Sequence, residues 1–279
     1  MTNSIKIDFK GKNVNFWEAC EFSKKNKIEH HVILEQANDQ GLLIDKDKQL
    51  LIDFIKFIKV NKKKIRSQLY QDIFASFVVN DKFNKSYLEF GATNGIDLSN
   101  TYILENEFSW SGSLAEPDQN WIDDLRKNRP NSNIISKCIW STSGKKLNFF
   151  SSNTHVLSSL DDFKYSDINS MPGNTAARVK EGKNYQVETI SLNDVIFNYF
   201  DGKTPSYISI DTEGSEFEIL NSFDFTKYQP IIFTIEHNFT DLQKKIDDLM
   251  KKNNYLRIFR DLTLFDAWYV HKKGMEKLI

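Results

Sequence analysis

Residues 87–95 read Tyr-Leu-Glu-Phe-Gly-Ala-Thr-Asn-Gly, an apolar run that ends in a carboxylate and a glycine-containing turn. A second segment of the same design, Ile-Ser-Ile-Asp-Thr-Glu-Gly-Ser-Glu, occupies residues 208–216. In an α/β sheet, ligands bind outside the carboxyl ends of the strands, where such turns lie. The two segments therefore predict a ligand site at one edge of a parallel sheet.

The glycine spacing of the first turn restricts the class of ligand. Gly91 and Gly95 are its two glycines, whereas a dinucleotide fingerprint has a third. No Lys-Ser or Lys-Thr pair follows the turn, so it is not a phosphate-binding P-loop. A turn that offers an acid and no base suits a nucleoside with a positive charge. The sulfonium S-adenosylmethionine is such a nucleoside.

Composition restricts the compartment and the partners. The 279 residues carry 37 basic and 38 acidic side chains, for a formal net charge of −1, whereas a nucleic-acid-binding domain is normally basic. Cys20 and Cys138 are far apart and have neither metal-ligand nor redox spacing, which favours a reducing compartment. The N-terminus lacks an apolar signal core, and charged residues break the longest apolar stretch. We expect a cytoplasmic protein without nucleic-acid partners or integral membrane association.

The order of the apolar patterns predicts the architecture. Residues 1–80 have mainly helical spacing and are predicted to form an N-terminal appendage to a larger domain, residues 81–279. From Ser86 onward, short β-type runs alternate with amphipathic helices, which indicates an α/β fold with a parallel sheet. The predicted strands lie near 86–90, 111–116, 133–138, 206–211 and 230–236, and the predicted helices near 97–107, 117–128, 213–222 and 240–253. Two last β-type runs, 255–259 and 265–271, are predicted to pair antiparallel.

Residues 151–184 interrupt this alternation. The segment is polar, has little periodicity and carries Met171-Pro172-Gly173 at its middle. A connection of this length is uncommon inside a compact domain unless it forms a lid or a binding loop. We interpret it as a loop that recognises a second substrate, with a merely mobile insertion as the alternative.

Acids at strand ends are candidate cofactor ligands. Glu89 ends the first strand, where a carboxylate can hold the methionine amino group of S-adenosylmethionine, while Gly91 permits close backbone approach. The alternative for Glu89 is a surface acid. Glu116 ends the second strand before Pro117, where an acid can accept both ribose hydroxyls. Cys138, at the end of the third strand, lies where an adenine edge would pass, or is a plain core residue.

The fourth and fifth strands end in a second group of polar side chains. Asp211 ends the fourth strand, and Glu236-His237-Asn238 follows the fifth. An alcohol needs a base, or a cation that lowers its pKa, before it attacks a methyl sulfonium. His237 is the candidate base, because its unperturbed pKa lies near neutrality, and a structural role is the alternative. Glu213 is either a site residue or an acid favoured by the helix dipole.

A metal ion is the competing means of activation. Asp211, Glu236 and Asn238 offer only oxygen ligands, a set that suits Mg²⁺ better than zinc. Catechol-type O-methyltransferases use a similar arrangement, but this is an analogy. The residues therefore leave open a metal-free route through His237 and a Mg²⁺ route, with the metal-free route preferred.

Several motifs together resemble the FkbM family of S-adenosylmethionine-dependent methyltransferases. They run in order from Ser67 to His271 and comprise residues 67–72, 89–95, 98–101, 110–112, 116–117 and 211–220. The resemblance implies a class I methyltransferase-like Rossmann sheet, mostly parallel with a closing antiparallel hairpin, in residues 81–279. It also implies O-methylation, commonly of a sugar hydroxyl in a glycan, glycolipid or natural product. Residues 1–66, the acceptor and the oligomeric state lie outside what it implies.

The resemblance extends to individual residues. It implies a cofactor role for Glu89, Gly91, Asn94, Gly95 and Glu116, and a site role for Asp211, Glu213 and Glu216. The complete predicted cofactor-binding set is Glu89, Gly91, Thr93, Asn94, Gly95, Ser99, Glu116, Cys138 and Asp211, and the predicted catalytic set is His237, Asp211 and Glu213. One departure is Ala92-Thr93-Asn94 in place of the family's Ala-Asn-Xaa order, which leaves the hydrogen bonds of the turn open. A non-catalytic S-adenosylmethionine-binding module is the alternative function, since a fold alone does not give activity.

Overall fold

The computed structural model describes most of the chain, namely residues 6–9, 12–15, 48–154, 156–260 and 262–278. The rest of the predicted N-terminal appendage, including Cys20, lies outside the described residues. Strands β1 (Lys6–Phe9) and β2 (Lys12–Asn15) form an antiparallel pair. Helices α1 (Lys48–Asn61) and α2 (Gln71–Val79) follow. Among the described residues, no helix is both long and apolar enough to cross a membrane.

Further strands and helices follow toward the C-terminus. The further strands are β3 (Ser86–Phe90), β4 (Ser111–Ala115), β5 (Asn133–Ile135), β6 (Cys138–Trp140), β7 (Lys146–Ser152), β8 (Ser159–Leu160), β9 (Gly182–Ser191), β10 (Tyr207–Ile210), β11 (Ile232–Glu236), β12 (Tyr255–Ile258) and β13 (Asp266–His271). The further helices are α3 (Tyr102–Phe108), α4 (Ile122–Asn128), α5 (Pro172–Lys180), α6 (Leu192–Tyr199), α7 (Glu216–Asn221), α8 (Leu242–Lys252) and α9 (Lys272–Leu278).

The central sheet confirms the predicted fold class. Its seven strands have the order β12-β13-β11-β10-β3-β4-β5. The strands from β5 to β11 in this order are parallel, and β13 is antiparallel to both of its neighbours. This is a class I methyltransferase-like Rossmann sheet, closed by the predicted antiparallel pair. The order reverses between β3 and β10, and the crevice at such a switch point is where ligands bind.

A second sheet was not predicted. Strands β6, β9, β7 and β8 form it in that order, so the predicted third strand is split between β5 of the central sheet and β6 of this one. The segment 151–184, which the sequence analysis interpreted as a long loop, contains β8, a 3₁₀ turn at Asp161–Phe163 and α5. The buried residues of α5 are Thr175 and Arg178. Since both are polar, the apolar periodicity that predicts a helix is absent.

Helices α1 and α2 share a hydrophobic core with the central sheet. Phe54 of α1 lies 5.1 Å from Phe259 between ring centroids, and Phe74 of α2 stacks on Trp268 of β13 at 4.4 Å. Each of these four side chains has an exposed fraction of 2% or less. The described helices of the appendage therefore cover one face of the sheet, and the domain boundary near residue 80 stays a prediction.

We expect Phe74→Ala to lower the free energy of unfolding by about 3–5 kcal/mol, because it removes a buried ring from its contacts with Phe54 and Trp268. Urea denaturation followed by circular dichroism measures the change. Phe197→Ala is the control, because Phe197 is 63% exposed, and its effect should stay below about 1 kcal/mol. Equal small effects of both substitutions would contradict a core role for Phe74.

Candidate functional site

A cavity of about 280 Å³ lies at the carboxyl ends of β3, β4, β10 and β11. Its wall includes the turn after β3, Glu116 at the tip of β4, Asp211 after β10 and Glu236 at the end of β11. Residues of the segment 151–184, including Met171 and Asn174, complete the wall. The volume is close to the lower end of the range for small-molecule sites, about 300–1,000 Å³.

Gly91 is required by a backbone contact inside the protein. Its φ is +69°, and a Cβ at this position would lie 2.1 Å from the backbone oxygen of Asp211. Its N–H donates to the carbonyl oxygen of Ala115 at 3.0 Å. Both the positive φ and the close contact require glycine. Gly91 lines the cavity as predicted, but its close approach is to the end of β10.

Asn94 and Gly95 shape the turn and are not among the residues that line the cavity. Asn94 Oδ1 accepts hydrogen bonds from the N–H groups of Ile96 and Asp97, both at 2.9 Å, which is an Asx-type turn. Gly95 has a φ of +77°, and a Cβ there would lie 2.7 Å from Cγ of Arg129. The side chain of Asn94 is thus used within the turn, and the structure does not bring these two residues to the position predicted for cofactor contact.

Glu89 anchors the segment that follows the turn. Its Oε1 accepts from the N–H of Asn100 at 2.7 Å, and its Oε2 accepts from Ser99 Oγ at 3.0 Å and from the Thr101 hydroxyl. A carboxylate has about four acceptor positions, so about one remains for a ligand. Glu89 and Ser99 both line the cavity.

Asn100 is a cavity residue that the predicted site set omits. Its Nδ2 donates to Ser209 Oγ at 2.9 Å, while its Oδ1 is buried and has no hydrogen-bond partner within the described part of the chain. A buried acceptor without a partner costs about 1–3 kcal/mol, so a ligand that donates a hydrogen bond here would be stabilising. The one signal in the sequence was the position of Asn100 within a motif of the family resemblance.

Glu116 is buried at the tip of β4 and contacts the turn. Its Oε2 accepts from the N–H of Thr93 at 2.9 Å, and its Oε1 accepts from the N–H of Asp118 at 2.7 Å. Burial, together with the charges of Asp118 and Asp211, raises the pKa of Glu116 to about 7, although these hydrogen bonds act to lower it. Thr93 also lines the cavity. Glu116, which is predicted to bind the ribose hydroxyls, is therefore close to half-ionised at neutral pH.

Cys138 combines the two roles that the sequence left open. It lines the cavity and also belongs to a small apolar cluster with Phe149, Leu160 and Val187. Burial raises the pKa of the Cys138 thiol to about 12, so the group is neutral. It contributes an apolar patch to the cavity wall.

Asp211, Glu213 and Glu236 form an acidic cluster in the cavity wall. One carboxylate oxygen of each lies within 4.8 Å of the others. Burial raises the pKa of Asp211 to about 7, with Glu216 and Asp266 adding like charge. Burial and the charge of Asp211 raise the pKa values of Glu213 and Glu236 well above their usual range. The acidic cluster therefore favours bound protons or cations.

Two further predicted residues lie beside the acidic cluster. Asn238, the third predicted metal ligand, lines the same cavity. Glu216 has a structural contact, because its Oε1 accepts from the N–H groups of Thr212 and Gly214 at 2.9 and 3.0 Å and also from the Thr212 hydroxyl. Glu216 thus fixes the turn that carries Glu213.

Arg178 of α5 provides a counter-charge to the acidic cluster. Its side chain is fully buried, and its NH2 group donates to Glu213 Oε2 at 2.5 Å. Its NH1 group donates to Asp167 Oδ1 at 2.8 Å. No pattern in the sequence indicates that Arg178 belongs to the site, because it is one basic residue within a polar segment. Through it, the segment 151–184 is tied directly to the site.

Asp118 ties the same segment to the tip of β4. Its Oδ2 accepts from Ser151 Oγ and Ser158 Oγ, both at 2.8 Å, and its Oδ1 accepts from the Tyr185 hydroxyl at 3.2 Å. The segment therefore contacts both the Glu116 region and the acidic cluster. Its position over the cavity is compatible with the predicted recognition of a second substrate.

His237, the predicted general base, makes backbone hydrogen bonds with both ring nitrogens. His237 is not among the cavity-lining residues. Its Nδ1 accepts from the N–H of Phe239 at 3.0 Å, so its Nε2 carries the proton and donates to the carbonyl oxygen of Asp266 at 3.0 Å. Burial and the charge of Arg257 lower the pKa of His237 to about 4. Both nitrogens are thus used to fix the chain after β11.

Residues 89–257 match the methyltransferase FkbM domain, and no curated protein sequence matches the chain. Similar solved structures include a putative caffeoyl-CoA O-methyltransferase from Staphylococcus aureus, with 12% identity, a TM-score of 0.40 and coverage of 86% of this chain and 97% of that one. A methyltransferase from Geobacter sulfurreducens has 7% identity, a TM-score of 0.40 and coverage of 84% and 93%. An SAH-bound methyltransferase from Podospora anserina has 11% identity, a TM-score of 0.37 and coverage of 78% and 87%. Since the family match spans more than half of the chain and includes residues 89–95 and 208–216, the protein belongs to the FkbM family of S-adenosylmethionine-dependent methyltransferases.

Proposed function

We propose that the protein transfers a methyl group from S-adenosylmethionine to a sugar hydroxyl of a glycan, glycolipid or natural product. The observation that carries this proposal is that one cavity joins Glu116 and the turn at Gly91 to the acidic cluster. A methyl donor held at the first end would direct its sulfonium toward carboxylates at the second. An acceptor hydroxyl placed among those carboxylates would then meet the methyl group.

The donor half of the cavity has the groups that S-adenosylmethionine requires. Glu116 would accept hydrogen bonds from the ribose hydroxyls, and the apolar patch at Cys138 would contact the adenine. Glu89 and the unpartnered Oδ1 of Asn100 would accept from the methionine ammonium group. Since the cavity wall carries more acids than bases, it suits a cofactor whose sulfonium and ammonium charges exceed its one carboxylate charge.

The acceptor half provides groups for hydroxyl activation. The hydroxyl oxygen would attack the methyl carbon in line, the carbon–sulfur bond would break with its electron pair on sulfur, and the hydroxyl proton would pass to a carboxylate. Asp211 is suited to this, because a pKa of about 7 makes it a stronger base than an ordinary carboxylate. Mg²⁺ at the same carboxylates would instead lower the pKa of the hydroxyl.

Two further expectations, on cellular location and on the class of acceptor, accompany the proposal. A cytoplasmic location agrees with the cysteine usage, and the formal net charge of −1 argues against a nucleic-acid acceptor. A small molecule or glycan remains the proposed acceptor class.

Release of S-adenosylhomocysteine with a panel of glycan, glycolipid and small-molecule glycoside acceptors tests the proposal. We expect one class of sugar acceptor to stimulate release, and mass spectrometry to locate the new methyl group on oxygen. Asp211→Asn should abolish the stimulated release. Tight binding of S-adenosylmethionine without turnover of any acceptor would contradict the proposal and favour a non-catalytic binding module.

Glu116→Gln should weaken S-adenosylmethionine binding by about 1.5–3 kcal/mol at pH 8, because the ribose hydroxyls lose a charged acceptor. In the wild type, affinity should fall as the pH drops below about 7, since Glu116 then gains a proton. Glu116→Gln should reduce this pH dependence. Calorimetry at pH 6, 7 and 8 measures both effects, with Glu218→Gln, at an exposed acid, as the control. Unchanged affinity of Glu116→Gln at pH 8 would remove Glu116 from the site.

Residues of the segment 151–184 should affect the acceptor more than the cofactor. Val156 and Asn174 line the cavity, so we expect Val156→Ser and Asn174→Ala each to lower kcat/KM for the acceptor by about tenfold. The Kd of S-adenosylmethionine should change by less than about threefold. Lys180→Ala, at an exposed position of the same segment, is the control. Parallel losses of cofactor affinity and acceptor turnover would show that the segment is structural.

A further inference from the structure

The carboxylates of the cavity wall differ in the donors that they receive. Glu89 accepts three hydrogen bonds and Glu116 accepts two from backbone or hydroxyl groups. Glu236 is different, because its Oε2 is buried and has no hydrogen-bond partner among the residues that the structure describes. The residue is only 9% exposed, and Oε2 itself is almost fully shielded from bulk solvent. A buried carboxylate oxygen without a donor is strongly destabilising unless a proton or a cation binds it.

The unpartnered oxygen belongs to a residue of the acidic cluster. One carboxylate oxygen of Glu236 lies within 4.8 Å of one of Asp211. Two carboxylates approach this closely when a proton or a cation lies between them. Glu213 adds a third oxygen within 4.8 Å. Its Oε2 is engaged by Arg178, which orients the carboxylate and leaves Oε1 for a further ligand.

The spacing and chemistry of these oxygens fit one hard cation. Oxygens on opposite sides of an ion are separated by about 4.2 Å for Mg²⁺ and about 4.8 Å for Ca²⁺, twice the usual metal–oxygen distances. The three carboxylate oxygens of the acidic cluster all lie within 4.8 Å of one another, so they are close enough to be ligands of one ion. Carboxylate oxygens without sulfur or imidazole select Mg²⁺, Mn²⁺ or Ca²⁺ over zinc or copper.

We propose that Asp211, Glu213 and Glu236 bind one hard divalent cation between them. The ligand set differs from the one predicted from the sequence, because Glu213 joins Asp211 and Glu236. The site lies in the wall of the cavity proposed for methyl transfer, and only this placement rests on the proposed function. There the cation would lower the pKa of the acceptor hydroxyl. The binding itself depends on the three carboxylates and needs neither cofactor nor acceptor.

Mn²⁺ binding to the protein alone, followed by electron paramagnetic resonance, tests the site directly. We expect one saturable site per chain, displaced by Mg²⁺, and at least tenfold weaker binding in Glu236→Gln. Glu218→Gln is the control, because Glu218 lies in the motif 211–220 with Asp211 and Glu213 but is exposed, and it should bind as the wild type does. Absence of a saturable site, or equal binding by Glu236→Gln, would overturn the proposal.

Thermal melting shows that the variant is folded and gives a second measurement. Glu236→Gln should melt at or above the wild-type temperature without metal, because it removes like-charge repulsion. Added Mg²⁺ should raise the Tm of the wild type and of Glu218→Gln, and should raise that of Glu236→Gln less. An equal shift in all three proteins would place the ion elsewhere and contradict the proposal.

The two proposals fail in different ways. Saturable Mn²⁺ binding without release of S-adenosylhomocysteine would leave the cation site standing and contradict the methyl transfer. Methyl transfer that survives exhaustive chelation, together with no saturable Mn²⁺ site, would contradict the cation site and leave the methyl transfer standing. Loss of transfer on chelation with recovery on added Mg²⁺ would support both.

Discussion

The contact between the turn after β3 and the end of β10 sets the geometry of the site. Gly91 approaches the Asp211 backbone so closely that a methyl group would not fit. The same turn places the N–H of Thr93 on Glu116, so three strand ends are fixed relative to one another. Because this contact lies at the switch point of the sheet, the donor half and the acidic cluster share one rigid base.

Burial of several carboxyl groups at this edge has an energetic cost that ligands offset. Burial raises the pKa values of Glu116 and Asp266 to about 7. Between their unfolded pKa values and about pH 7, the folded chain holds protons that the unfolded chain has released, so these two groups make the folded state less stable as pH rises. A ligand that donates hydrogen bonds to the ionised form of Glu116 reverses this effect at that residue. The site is therefore stabilised by the cofactor that it is proposed to bind.

The sequence predicted the parts of the molecule in which local pattern and tertiary contact agree. Apolar strands that end in an acid and a turn identified the central sheet and the position of Glu116 and Asp211. The predictions failed where the buried groups are polar, as at Arg178, since a buried ion pair leaves no periodicity in the chain. The sequence could not place the ring of His237, because adjacency to Glu236 does not tell which way a ring points, and its role as a base stays a prediction. In the structure its ring nitrogens bond the backbone of Phe239 and Asp266.

The buried ion pairs of Arg178 bear on how an acceptor reaches the cavity. Withdrawal of α5 would leave Asp167 and Glu213 without their cation, at a cost of about 3–5 kcal/mol. A state of that energy is populated at well under one per cent. Acceptor and product should therefore enter and leave through the open side of the cavity, where the lining residues Leu98 and Val156 are 48% and 44% exposed. The dimensions of that opening would then limit the shape of the acceptors that can bind.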